Sequence, residues 1–282
     1  MLRRFLPEIG IALGVAVLVL WSLGPIYWAI ATSLTPLSEI GAKPFHFVPQ
    51  HLTVNHYERL FGFGNDGAIW RQFSAALLNS VVTSVISTIV CVVLAALGGY
   101  AFARLNFPGR NTLFVCVVAT LAIPGYAVLI PLYRLMIDLH LIDTYLGITL
   151  IYVSAYLPLA LWMLRSVFQT LPISLEEAAR LDGASRLGIL FWIVLPIAAP
   201  GLTAVAILTF LGAWGQYIVP LIFSPTLKTK PMTVLIPEFA TKNFTDYGMI
   251  TASGTISILI PALIVVVLNR YLVSGLLAGS SK

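Results

Sequence analysis

Charge is what this 282-residue chain has least of: Asp, Glu, Lys and Arg make up 10% of it, while 59% of its residues are apolar. Ordinary soluble domains carry about 25% charged and about 45–50% apolar residues, so a soluble enzyme, a nucleic-acid binder and a disordered chain are excluded. The few charges are also unevenly placed. Six stretches, 9–38, 72–103, 111–133, 144–164, 187–227 and 247–269, contain none. A hydrocarbon core about 30 Å thick is crossed by about 20 helical residues, and every stretch is long enough.

Histidine is missing from the same stretches, because His46, His51, His56 and His140 all lie outside them. Proton-driven transporters, voltage sensors and retinal pigments depend on ionisable groups at membrane depth. Intramembrane proteases need acids, metal ligands or a base beside a nucleophile. None of these chemistries has residues to run on here. Cysteine is scarce too: Cys91 and Cys116 both fall in charge-free stretches, so neither a disulfide framework nor a thiolate metal site is implied. His46, His51 and His56, spaced by five, match zinc-ligand spacing poorly. Gly62-x-Gly64-x-x-Gly67 follows no strand and opens no βαβ unit, so it implies no dinucleotide.

What is present predicts an all-α polytopic membrane protein, one domain over 1–282, with spans near 10–33, 75–103, 112–136, 146–167, 200–223 and 251–273. Pro196 and Pro200 leave only 187–195 for an additional span, about 14 Å of helix, which is too short to cross. Six spans put both termini on one side. The positive-inside preference makes that side the cytoplasm, where Arg3, Arg4, Arg104, Arg110, Arg165, Arg180, Arg186, Arg270 and Lys282 then lie. The first apolar run exceeds the roughly 7–15 residues of a cleaved signal core, so it is read as a retained span.

Inside the spans the polar residues are neutral: Asn79, Ser80, Thr83, Ser84, Ser87 and Thr88 in the second, and Trp214, Gln216 and Tyr217 in the fifth. Ser80, Ser84 and Ser87/Thr88 share one helix face. Two readings stand: a helix–helix seam in which small hydroxyl residues pack closely and bond across, or part of a solute path through Asn79, Ser80, Gln216 and Tyr217. Pro124-Gly125 and Pro131 predict interruptions in the third span.

Charge returns in the segment 170–196 between the fourth and fifth spans. Ser174 followed by Glu177 has capping-box spacing and predicts a short helix after Pro172. Gly183 suits the left-handed end of that helix. Leu187, Leu190, Phe191, Val194 and Leu195 then recur at helical spacing, predicting one apolar stripe on a second short helix closed by Pro196. Such a pair is either a docking lever or an amphipathic loop resting on lipid headgroups.

The residues Glu177-Ala178-Ala179, Gly183 and Ile193-Val194-Leu195-Pro196 resemble the cytoplasmic loop of bacterial ATP-binding-cassette importer permeases: Glu-Ala-Ala, three residues, Gly, nine residues, Ile-x-Leu-Pro. Further stretches are similar to the second permease of maltose-type carbohydrate importers: Ser33-Leu-Thr-Pro36, Leu78-Asn-Ser80, Tyr100-Ala-Phe-Ala-Arg-Leu-Asn-Phe-Pro-Gly109, Ile130-Pro-Leu-Tyr133 and Gly275-Leu-Leu-Ala-Gly279. The chain departs from that pattern at His56, at Trp214-Gly-Gln-Tyr217 and in its Gly279-Ser-Ser-Lys282 tail.

The resemblance implies that the segment is a coupling helix docking on an ATPase, with Glu176, Glu177, Ala178, Ala179, Asp182, Gly183, Leu187, Leu190 and Phe191 as its residues. It also implies partners: a homologous permease, an ATPase dimer that binds ATP and Mg, and an extracytoplasmic solute-binding protein meeting loops 34–74 and 224–250. No Gly-Lys dipeptide exists to build a phosphate-binding loop, so the chain itself is expected to be non-enzymatic and free of cofactor. A neutral carbohydrate is the expected solute, with polyol phosphates as the exception. The alternatives are a sodium-coupled secondary carrier and a membrane scaffold or integral-membrane enzyme.

Overall fold

The computed structural model describes residues 2–44, 46–63, 66–241 and 244–279, with side chains from 10 to 268. Gly64 and Lys282 fall outside the described residues, as do the side chains of Arg3, Arg4 and Arg270 and of 275–279. The described residues form helices α1 Leu2–Ser33, α2 Asn55–Leu60, α3 Gly67–Arg104, α4 Arg110–Ala119, α5 Leu129–Asp138, α6 Tyr145–Thr170 and α7 Ile173–Leu181. They continue with α8 Arg186–Ile197, α9 Ala199–Trp214, α10 Ile218–Phe223, α11 Met232–Leu235 and α12 Tyr247–Gly279. Among the described residues four helices are long and apolar enough to cross a membrane, Gly10–Ser33, Gly67–Arg104, Tyr145–Thr170 and Tyr247–Leu268, or up to six if each of two bent pairs, Arg110–Ala122 with Gly125–Asp138 and Arg186–Ile197 with Ala199–Trp214, is one span.

The third and fifth spans differ from the unbroken helices expected at 112–136 and 200–223. Arg110–Ala122 and Gly125–Asp138 meet at 93°. Pro124 has no N–H for the Thr120 carbonyl and drives Ile123 out of the helical region, to φ −77°, ψ 122°. Pro131 breaks nothing, because it falls in the first turn of α5, where its missing N–H has no partner to lose. In the fifth span α9 stops at Trp214, and Gly215–Tyr217 separate it from α10. Pro220 explains this break: it cannot donate to the Gln216 carbonyl four residues back, which instead accepts the Thr233 hydroxyl at 2.6 Å.

The chain divides into two compact units. Met1–Ser74 and Val234–Ile260 make one; Ala75–Thr233 and Pro261–Lys282 make the other. In the first, α2 ties together two chain segments. Tyr57 Oη and Ser33 Oγ are 2.7 Å apart, His56 Nε2 lies 3.0 Å from the Thr35 carbonyl oxygen, and Arg59 Nη1 donates to Asp246 Oδ2 at 2.9 Å. Asp246 also begins α12, accepting from the Met249 amide at 3.0 Å. A Cβ at Gly248 would overlap the His56 ring, so only glycine admits that imidazole.

The second unit is built on α3, α6 and α9. The buried stripe of α3 in this unit, Ala76, Asn79, Ser80, Thr83, Ser84, Ser87, Cys91, Ala95 and Tyr100, follows helical spacing, while Leu78, Ile86, Ile89, Val93 and Leu97 are exposed. Large aliphatic side chains thus lie on the exposed face and mostly small ones against the rest of the unit, the usual membrane-helix arrangement. At Gly99 a Cβ would stand 3.1 Å from the Arg165 backbone nitrogen, so α3 and α6 approach there to near backbone contact. Tyr100, Leu164, Phe168, Ala179, Ile189, Leu190, Val194 and Val205 share one core cluster.

Candidate functional site

The segment 170–197 folds as two short helices, as expected, but its local chemistry differs in two respects. The first helix starts at Ile173 with Pro172 at the N-cap and no side-chain cap bond. Ser174 therefore sits inside the first turn, and the Ser174–Glu177 capping box does not form. A side-chain cap occurs instead at Ser185, whose Oγ accepts from the Gly188 amide at 3.1 Å. Between the helices Gly183 has φ +83°. Its amide donates to the Arg180 carbonyl at 3.1 Å, and the Ala184 amide donates to the Ala179 carbonyl at 2.9 Å. These two bonds make a Schellman motif, which uses glycine because the left-handed region penalises a Cβ.

The single apolar stripe expected on the second helix is split. Leu190 through Val194 form a π-turn, in which the Leu195 amide reaches the Leu190 carbonyl, just before Pro196. The wider turn shifts the register: Ile189, Leu190 and Val194 are buried at 0%, 1% and 2% exposure, while Leu187, Phe191 and Trp192 are exposed. Half of the apolar set seats the segment on its own unit. The other half faces outward.

One polar anchor dominates. Glu176 is buried, with 2% side-chain exposure, and Oε1 accepts from Arg104 Nε at 2.6 Å across a partner that is itself 7% exposed. Glu176 Oε2 accepts from Tyr100 Oη at 2.9 Å, and Arg104 Nη2 donates to the Leu171 carbonyl at 2.8 Å. A buried carboxylate is tolerated when paired and hydrogen-bonded in this way. Arg104 is the last residue of α3, so the clamp fastens α7 to the end of a membrane-spanning helix. Of the nine residues singled out in the segment, Glu176, Ala179 and Leu190 point inward, and Glu177, Ala178, Asp182, Gly183, Leu187 and Phe191 are exposed.

Asn79 and Ser80 are also placed by bonds within the chain. Asn79 Nδ2 donates to the Leu227 and Lys230 carbonyls, each at 2.9 Å, and its Oδ1 accepts from Tyr145 Oη at 2.5 Å. Ser80 Oγ accepts from the Met232 amide at 2.8 Å. The two side chains pin the returning segment 224–233, which Asp143 holds from another side through Thr226 at 2.5 Å and Thr229 at 2.7 Å. Thr83 and Thr88 bond back to the carbonyls of Asn79 and Ser84, each at 2.7 Å, the usual retreat of a hydroxyl on a helix. Gln216 Nε2 donates to Tyr156 Oη at 2.7 Å, and Tyr217 beside it is 40% exposed.

Arg104, Tyr100, Ser185 and Trp192 complete the segment's anchoring and outward face. Arg104 carries one signal in sequence, since its charge ends the second span, but its partner lies 72 residues away. No group of three or more His, Cys, Asp or Glu among the described residues is placed to hold a metal ion.

A family model described as "Binding-protein-dependent transport system inner membrane component" matches residues 92–277. The trehalose transport system permease protein of Mycobacterium tuberculosis is 33% identical over 264 residues, 93% of each chain. The arabinooligosaccharides transport system permease protein of Halalkalibacterium halodurans is 32% identical over 278 residues, 96% of this chain and 95% of its own. Among solved structures, a chain of a bacterial ABC transporter that imports the acidic polysaccharide alginate superposes with a TM-score of 0.79 at 22% identity, covering 95% of this chain and 96% of that one.

Proposed function

Because this chain belongs to the family of inner-membrane components of binding-protein-dependent transport systems, we propose that it is a translocation subunit of an ATP-driven importer for a neutral carbohydrate. The observation that carries this reading is the segment Glu177-Ala178-Ala179 with Gly183 left-handed, seated on α3 and α6 and turning its other face outward. That face bears Glu177, Ala178, Asp182, Leu187 and Phe191 and docks on the ATPase subunit, where ATP and Mg bind. Glu176, Ala179 and Leu190 hold the segment to its own unit. A push on the outer face is thereby delivered through Arg104 to α3.

In this reading the chain lies in a bacterial inner membrane with both termini and the segment 170–196 in the cytoplasm. A homologous permease completes the path, and a solute-binding protein delivers solute from outside. Neutral solute suits spans that hold no Asp, Glu, Lys, Arg or His in their charge-free stretches, because moving an ion through them lacks compensating charge. Relatives that carry trehalose and arabinooligosaccharides support the same class. Gln216 and Tyr217, at the break between α9 and α10, are the residues of this chain best placed to meet solute. Asn79 and Ser80 shape the path through the segment 224–233 that they pin.

The test is purification of the tagged chain with its partners, followed by equilibrium binding of neutral saccharides, polyol phosphates and amino acids to the associated binding protein. Selective binding of a neutral saccharide is expected. Selective binding of an amino acid or inorganic ion contradicts the carbohydrate assignment, and an assembly without an ATPase contradicts the importer.

A further inference from the structure

Residues 34–53 form a loop closed at its base, where the Thr53 amide donates to the Leu34 carbonyl at 2.9 Å. The loop does not simply rise away from the membrane helix that precedes it. Tyr27 Oη donates to the Phe47 carbonyl at 2.9 Å, and the Phe47 ring meets Trp28 edge-on with centroids 6.4 Å apart. Tyr27 and Trp28 precede the end of α1 at Ser33 by about 8–9 Å along the axis, at roughly 1.5 Å per residue. The loop has doubled back beside α1.

Depth follows from the helix itself. The charge-free part of α1, residues 9–33, has 25 residues, about 38 Å of helix against a hydrocarbon core of about 30 Å. With that run centred on the core, Ser33 stands about 4 Å outside its boundary and Tyr27 and Trp28 about 4–5 Å within it. Phe47 is therefore returned to membrane depth. Yet 72% of Phe47 and 67% of Val48 are left uncovered by the chain. Lys43, also exposed, sets a cationic side chain shortly before this apolar pair, and an ammonium suits lipid phosphates. Glu39, the one acid between α1 and α2 up to residue 54, is already paired with His51 at 2.5 Å. The apolar pair is continuous with the face of α1, none of whose most apolar window is buried within the chain.

We propose that Phe47 and Val48 are a lipid anchor in the leaflet at the Ser33 end of α1, the outer one in the orientation given above, with phospholipid as the occupant. The proposal rests on the membrane-spanning fold and not on the identity of solute or ATPase. It fixes the upper end of α1, whose buried positions among the described residues are Ala31, Thr32 and Ser33. A binding protein docking on loop 34–54 would then meet its other side.

Full-length protein lacking Cys91 and Cys116 is labelled with an environment-sensitive fluorophore at Phe47→Cys or, separately, Val48→Cys, and placed in phosphatidylethanolamine–phosphatidylglycerol nanodiscs. Leu20→Cys, within α1, is the lipid-embedded reference. Both loop labels are expected to emit blue-shifted relative to the free dye, to be quenched by phospholipids carrying a nitroxide high on the acyl chain, and to resist aqueous iodide. Two positions guard against a variant that fails to insert. Iodide quenching at both, with no quenching by lipid nitroxide, would show a water-facing surface and overturn the anchor while leaving the transport assignment untouched.

Discussion

Arg104 and Glu176 meet at 2.6 Å between the last residue of α3 and the first turn of α7, both withdrawn from solvent. The pair joins a membrane-spanning helix to the segment that faces outward at Glu177. Removing Glu176 strands the Arg104 charge, which costs about 3–5 kcal/mol when the pair is buried; removing Arg104 leaves Glu176 only the longer, half-exposed pairing to Arg180 at 3.9 Å. Glu176→Ala and Arg104→Ala should therefore lower the midpoint of thermal unfolding in detergent well below that of Glu177→Ala, an exposed change expected to stay within about 0.5 kcal/mol. Equal midpoints for Glu176→Ala and Glu177→Ala would remove the clamp.

Gly183 supplies a φ of +83° between the two short helices. A residue with a Cβ in this region costs about 1–2 kcal/mol, less for Asn. Gly183→Ala should destabilise by that order and Gly183→Asn by less, with amide exchange faster at Gly183 and Ala184, whose N–H groups close the motif. A stability order with Ala equal to Asn would count against the left-handed cap.

Asn79 commits both amide hydrogens to the carbonyls of Leu227 and Lys230. Asn79→Leu removes two hydrogen bonds to part-buried carbonyls, a loss of about 0.5–1.5 kcal/mol for each bond. Hydrogen exchange across 224–233 should accelerate by at least about tenfold, one decade being roughly 1.4 kcal/mol, while exchange in 148–168 is unchanged. Uniform acceleration across both segments would mean that Asn79 supports the whole unit.

The spans are readable in sequence because lipid forbids unpaired charge, so gaps between charged residues report membrane crossings directly. Those gaps carry little information on what happens within a crossing. Pro124 announces the bend at Ile123, since its own dipeptide does the damage, but the break at Gly215–Tyr217 is set by Pro220 and secured by Thr233, a residue on a different helix. Spacing likewise reveals Gly183 and the two helices around it. It misplaces the cap, because the first helix begins directly after Pro172 and so draws Ser174 into its first turn, while Ser185 caps the second. Glu176 and Glu177 are adjacent and chemically alike, yet one is clamped and the other exposed. That difference lies in Arg104 and Tyr100, far away in the chain.

In the function proposed above, the outward face of 173–192 couples this chain to an ATPase that drives carbohydrate import. ATP-dependent uptake of the saccharide bound by the associated binding protein, in proteoliposomes containing the whole assembly, tests that coupling. Wild-type chain is compared with Glu177→Lys and Gly183→Pro at equal membrane level, and ATPase retention is scored on the same samples. Wild-type uptake that requires ATP, with loss of uptake and weakened ATPase retention in both variants, is the predicted result. Uptake that proceeds without ATP, or that is unchanged in both variants, would contradict it.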